Sequence, residues 1–122
     1  MEKNKALVRR GIEAINKKDL TILDELIAPD YVDHTNPFRS GKEIKEFYSN
    51  VFKNTPDFHR TIEDIAAEGD KVWARFKNIM TSPTGKKLEF STVTIYRIVN
   101  GKLAESWTVP QTVTKRKKLR RF

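Results

Sequence analysis

The stretch Lys87–Pro110, KLEFSTVTIYRIVNGKLAESWTVP, decides the fold. β-Branched and aromatic residues fill both halves and alternate with polar ones, the period of two that turns one face of a strand toward a core. Between the halves stands Asn100-Gly101, a pair that readily takes the positive φ angles of a type I′ turn. The stretch therefore predicts a hairpin of two strands, Lys87–Val99 and Lys102–Val109. Pro110 has no amide to donate and belongs at a strand end or edge.

Upstream the same texture continues through Lys71–Thr81 and His59–Glu68, separated by EGD and SPTG, so four strands form an antiparallel meander. On Lys71–Thr81 the period of two puts Val72, Ala74, Phe76, Asn78 and Met80 on one inward side. Trp73, Arg75, Lys77 and Ile79 fall on the other, a mixture suited to a partly buried dimer surface. Asn78 is an amide among apolar neighbours and needs a hydrogen-bonding partner, a water or a ligand. On the last strand Glu105, Trp107, Val109 and Gln111 alternate with Ala104, Ser106, Thr108 and Pro110.

Ahead of Pro56 the period changes to that of helices. Leu7, Val8, Ile12 and Ile15 share a face between Lys3 and Asn16. Asp19 is placed to cap a short second helix carrying Leu20, Leu23, Leu26 and Ile27, with Pro29 as its stop. Ser40 and Glu43 read as a capping box, followed by Ile44, Phe47, Tyr48, Val51 and Phe52 at the spacing of a half-buried helix. Helices followed by one sheet give an α+β fold with the helices on one face.

A chain of 122 residues fits one domain, drawn here as residues 1–112 with a basic tail at 113–122. The net charge of +8 is concentrated in that tail, in Lys115, Arg116, Lys117, Lys118, Arg120 and Arg121; removing these six leaves 18 basic against 16 acidic groups. Such a run is read first as a solvated tail with no dedicated partner and otherwise as a contact to phosphates or anionic surfaces without sequence preference, and the body has no aromatic residues interleaved with a basic face for nucleic acid. The absence of cysteine excludes disulfides, thiolate catalysis and sulfur-ligated metals. No HxH or HExxH spacing indicates a metal site, and no glycine-rich phosphate loop indicates a nucleotide cofactor. With no apolar run long enough to span a membrane and no secretory signal, the expected compartment is the cytoplasm.

The succession NKALVRR, LDELIAPDYVDH, PDF, IEDIAAEGDKVWARF and EFSTVTIYRIVNGKLAESW resembles the SnoaL-like polyketide cyclase family of the nuclear transport factor 2-like superfamily. The resemblance runs from Asn4 to Gln111. It implies a cone-shaped α+β barrel, three N-terminal helices packed in the concave face of a curved, mainly antiparallel sheet, with a deep apolar pocket and usually a homodimer. In the cyclases an aspartate a few residues after the last-strand tryptophan does the acid–base work; here that position holds Gln111, which cannot take a proton at neutral pH. The loop Thr81–Lys86 is also shorter than the corresponding cyclase insertion.

His34 matches the family's histidine in VDH, and imidazole is the side chain whose ordinary pKa suits proton transfer near neutrality. It is read as lining the pocket and, in an enzyme, as the candidate base; the alternative packs it beside Tyr31 and Phe38 with the imidazole on a backbone carbonyl of the turn. Tyr48, Phe52, Phe76, Asn78, Trp107 and Gln111 are the candidate ligand contacts, with Asn78 or Gln111 polarising a carbonyl. Asp33, its neighbour on an extended segment, faces the other way and is read as pointing to solvent. Two functions follow. One is a pocket protein for a small apolar or aromatic ligand, with cyclase or isomerase chemistry next to a carbonyl and no cofactor. The other is a non-catalytic dimeric module whose tail meets an anionic partner.

Overall fold

The computed structural model describes residues 2–35 and 41–110. Helix α1 spans Glu2–Asn16; a 3-10 turn, Leu20–Ile22, leads into the one-turn helix α2, Leu23–Leu26; strand β1 is Ile27–Asp33 and helix α3 is Gly41–Asn54. Four strands follow: β2 His59–Glu68, β3 Lys71–Thr81, β4 Lys87–Val99 and β5 Lys102–Pro110. They form one sheet in the order β1-β5-β4-β3-β2, antiparallel except that β1 runs parallel to β5. The meander and its NG turn are as the sequence predicts, with Asn100 at φ 51° and Gly101 at φ 74°.

Helix α1 stops because Lys18 takes φ 62°. The amide of Asp19 then reaches the carbonyl of Ala14 at 2.9 Å and that of Lys18 reaches Ile15 at 2.9 Å, the paired bonds of a Schellman end. A lysine in this left-handed conformation costs about 1 kcal/mol relative to glycine, offset by the two carbonyls it satisfies. Asp19 makes no side-chain cap on the following turn; its carboxylate instead accepts from Thr21 Oγ1 at 2.8 Å.

The sequence reading takes Ile27 into the second helix and gives no strand before α3; both are corrected by β1. Pro29 is compatible with it because β1 is an edge strand, and the pairing with β5 is irregular between Ile27 and Val32, across the proline. A second irregularity, between Ile62 and Asp64, inserts one extra residue in β2 opposite β3. The proposed capping residue Ser40, Gln111 and the basic tail lie outside the described residues.

The core sits between the helices and the concave face. Val8, Leu26, Val72, Phe76 and Asn78 are its most completely buried side chains. Asn78 is wholly buried and fully partnered: Nδ2 donates to the Phe90 carbonyl at 3.2 Å and Thr92 Oγ1 at 3.1 Å, and Oδ1 accepts from Arg60 Nε at 2.7 Å. Asn16 at the end of α1 clasps the backbone of Arg60, donating to its carbonyl at 2.7 Å and accepting from its amide at 2.9 Å.

Candidate functional site

Between the three helices and the inner face of the sheet lies a cavity of about 140 Å³. Its apolar wall comes from Val8, Ile12 and Ile15 on α1, Ile44 and Phe47 on α3, and Leu103 on β5. Gly11 also lines it; a methyl there would stand 3.8 Å from Leu26, ordinary contact, so the glycine weakens α1 by about 1 kcal/mol while keeping the cavity wide at that point.

Polar groups enter from both edges of the sheet. From β1 come Tyr31 and Asp33; from β5, Ser106 and Thr108; from β4, Thr94 and Tyr96; from β2, the far edge, Arg60. The hydroxyls of Tyr31 and Ser106 are hydrogen-bonded to each other, as are those of Thr94 and Thr108 at 3.0 Å. Each hydroxyl pair carries two hydrogens and uses one internally, leaving one to donate elsewhere. Arg60 donates from Nε to Asn78 and from a terminal nitrogen to Tyr48 Oη at 3.1 Å. Asp33 Oδ1 accepts the amide of Thr35 at 2.9 Å, which fixes the carboxylate at the end of β1.

Burial pushes the phenols of Tyr31 and Tyr96 well above the usual tyrosine range. For Tyr31 the hydrogen bond from Ser106 opposes burial and the negative charge of Asp33 reinforces it. For Tyr96 the positive charge of Arg60 opposes burial, while Tyr48 and Asp33 reinforce it. Both rings therefore present O–H groups at neutral pH. Asp33 and Arg60, from opposite edge strands, both line this cavity, so the sheet is curled enough to bring its edges to one space.

The structure separates the residues singled out in the sequence. Tyr48 lines the cavity. Phe76 and Asn78 lie behind the wall, wholly buried beneath Arg60, whose guanidinium carbon is 5.0 Å from the centre of the Phe76 ring. Phe52 packs edge-on to Phe58 at 6.0 Å, also away from the cavity. His34 and Trp107 are on the opposite face of the sheet, their rings stacked 4.7 Å apart and 8° from parallel. The expectation that these two line the pocket is overturned by register. Asp33 pairs with Ser106 and both point inward, so the next residue on each strand, His34 and Trp107, points outward. Asp33, read as facing solvent, is the carboxylate in the cavity wall.

On the outer face His34 Nε2 is 2.6 Å from Glu105 Oε2, and the other oxygen of Glu105 accepts from Arg97 Nε. The hydrogen bond from His34, then that from Arg97, hold the Glu105 carboxyl below the usual glutamate range. An imidazole engaged this way ties β1 to β5 and does not face the cavity. Among the described residues no three His, Asp or Glu side chains converge on a metal position, and no helix is long and apolar enough to cross a membrane.

The sequence matches the SnoaL-like polyketide cyclases over residues 5–119. The chain belongs to that family. Among solved structures, IdmH from Streptomyces antibioticus, described as a proposed polyketide cyclase, is 28% identical with a TM-score of 0.81, covering 95% of this chain and 97% of its own. AclR from Streptomyces galilaeus, described as a proposed hydroxylase, is 28% identical with a TM-score of 0.80 over 91% and 90% of the two chains. TsrD from Streptomyces laurentii, 21% identical, has a TM-score of 0.83 over 91% and 90% and shares the fold. Comparison with curated proteins returns no match. The SnoaL-like, cone-shaped α+β fold thus stands on both sequence and structure.

The Glu105 cluster gives this SnoaL-like protein a pH-dependent seam between β1 and β5. Because the folded carboxyl titrates below its unfolded value, its contribution is present above the unfolded pKa, about 4.3, and is lost as pH falls through the folded value. Thermal melts should show wild type more stable than Glu105→Gln at pH 6, with the gap closing below about pH 4; a gap that persists or widens in acid contradicts the assignment.

Proposed function

We propose that the cavity receives a small, mainly apolar carbonyl compound and moves a proton next to its carbonyl, the chemistry of an intramolecular aldol closure or an isomerisation. The observation that carries this is the presence of Asp33 in the same wall as phenols kept protonated by burial. Asp33 takes the proton from the carbon beside the carbonyl. The electron pair moves onto oxygen, which accepts a hydrogen bond from the hydrogen that the Tyr31–Ser106 pair leaves over. The first carbonyl then re-forms as the enolate carbon attacks a second carbonyl, whose oxygen takes the proton from Asp33, or the proton returns from Asp33 to a different carbon. The apolar wall excludes water and strengthens these charge interactions.

This moves the base from His34 to Asp33 and the oxygen-polarising role from Asn78 to the cavity hydroxyls, since both amide ends of Asn78 are already engaged beneath Arg60. A positioned base is worth about 10²–10⁴-fold in rate. With phenylacetone as probe in deuterated water, exchange of the hydrogens beside the carbonyl, followed by NMR, should be accelerated by the protein. Asp33→Asn should lower that acceleration by at least about 10²-fold, and His34→Ala should leave it within a factor of two or so. Equal rates for wild type and Asp33→Asn would overturn the assignment.

We also propose that the outer face pairs with a second copy of the chain. Trp73, Ile95 and Trp107 stand directly opposite one another on β3, β4 and β5, forming an apolar row across the face that none of the described helices covers, and Val109 beside them is 61% exposed. A row of this kind is self-complementary across a two-fold axis. Sedimentation velocity should show a dimer for wild type and a monomer for Ile95→Glu; a monomeric wild type at micromolar concentration would overturn the pairing.

A further inference from the structure

Arg60 is a cation in the cavity wall with no carboxylate partner among the described residues. Exposed Arg75 and half-buried Arg97 are each paired, with Asp64 and Glu105. Arg60, on the inner face, contacts two neutral groups, Asn78 and Tyr48, and two aromatic rings, Phe76 at 5.0 Å and Phe58 at 5.6 Å. A guanidinium has five N–H donors in a rigid fork. Two are used by Asn78 and Tyr48, which leaves three without a described protein acceptor. Its backbone is clasped by Asn16 and its Nε by a wholly buried amide, so the fork is held in one orientation before any ligand arrives.

A charge drawn into an apolar wall without a counter-charge is costly, and a ligand that brings the counter-charge recovers that cost on binding. Neutral dipoles and ring faces offset part of it; a carboxylate, which matches the guanidinium fork with two parallel hydrogen bonds, offsets far more. Size narrows the ligand further. An apolar cavity of about 150 Å³ accommodates benzene, and this one encloses about 140 Å³. The enclosed space therefore fits one six-membered ring, and anything larger must extend out of it.

We infer that the ligand carries a carboxylate and lodges one ring-sized apolar unit in the cavity, with the carboxylate on the free N–H groups of Arg60. This rests on the cavity being a ligand site, as proposed above, and names the class of ligand: a small aryl- or cycloalkyl-substituted carboxylic acid, its reacting carbonyl a separate group from the carboxylate, in place of an uncharged carbonyl compound. Asp33 reaches the cavity from the other edge strand, so an acid anchored at Arg60 is set with its non-carboxylate end free to approach the base.

The test compares phenylacetate with its methyl ester, which match in ring and differ in charge. Binding to the full chain is followed by NMR, reading the backbone amides of the cavity wall and the Nε–H signal of Arg60. Phenylacetate should bind about ten- to a hundredfold more tightly than the ester, and should move the Arg60 Nε–H signal. Arg60→Gln should bring the two affinities together while the ester still binds, and Arg60→Lys, which keeps the charge and loses the fork, should leave the acid a smaller advantage than in wild type. The acid–ester comparison uses the unaltered protein, so it decides the matter even if a variant does not fold. Equal affinities, or a tighter acid that leaves Arg60 unmoved, would overturn the inference and leave the cavity as a ligand site. If neither compound shifts the cavity amides, the reading of the cavity fails as well.

Discussion

A buried side-chain amide organises this protein. Asn78 has no exposure to water, and an amide in that position is tolerable only if both of its ends are paired. Its carbonyl end recruits Arg60 from β2 and its NH₂ end recruits β4 through Phe90 and Thr92. Arg60 in turn holds Tyr48 on α3, and Asn16 on α1 holds the Arg60 backbone. One polar chain thus ties three strands to two helices around a hollow that the apolar side chains alone would tend to close. Replacing both partners by apolar groups of similar volume could be close to neutral for stability, whereas removing one strands the other in the core. The network is better understood as fixing where a cation stands than as a source of net stability.

The second constraint is the parallel pairing of β1 with β5, which assigns every residue near the cavity mouth to a face. It sends Tyr31, Asp33 and Ser106 inward and His34, Glu105 and Trp107 outward. The two faces then diverge in chemistry. The inner one combines a carboxylate, a cation and hydroxyls kept protonated by burial; the outer one combines an apolar row with a charged cluster that locks the edge strand in place. A histidine beside an aspartate in sequence is in this way divided between two separate tasks.

Much of the fold is legible in the sequence because its strands are long and their turns are marked. The three strands from His59 to Val99 have the boundaries that alternation, EGD, SPTG and NG imply. Strand β1 is not legible in the same way, since Leu23, Leu26 and Ile27 share helical spacing and Pro29 reads as a helix stop; only its pairing with β5 makes it a strand. The candidate site depends on two registers that local pattern does not encode. Counting back from the EGD turn without interruption sets Arg60 opposite Ile79, on the outer face. The extra residue between Ile62 and Asp64 shifts it opposite Asn78, on the inner one. Asn78 itself is conspicuous as an amide in an apolar row, but its partner is hidden by that bulge. Tyr48 is found because helical periodicity needs no register, whereas His34 and Trp107 are misplaced because their faces follow from a strand pairing the sequence does not announce.

The central claim is that the inner face encloses an apolar hollow between helices and sheet, and that the Trp73–Ile95–Trp107 row of the outer face does not line it. Methyl-labelled NMR under xenon pressure tests it directly, because xenon enters apolar cavities without needing any polar partner. The account predicts that the methyls of Ile12, Ile15 and Ile44 shift on xenon binding while that of Ile95 stays still. A shift of Ile95 without the others, or no response from Ile12, Ile15 and Ile44, would contradict it.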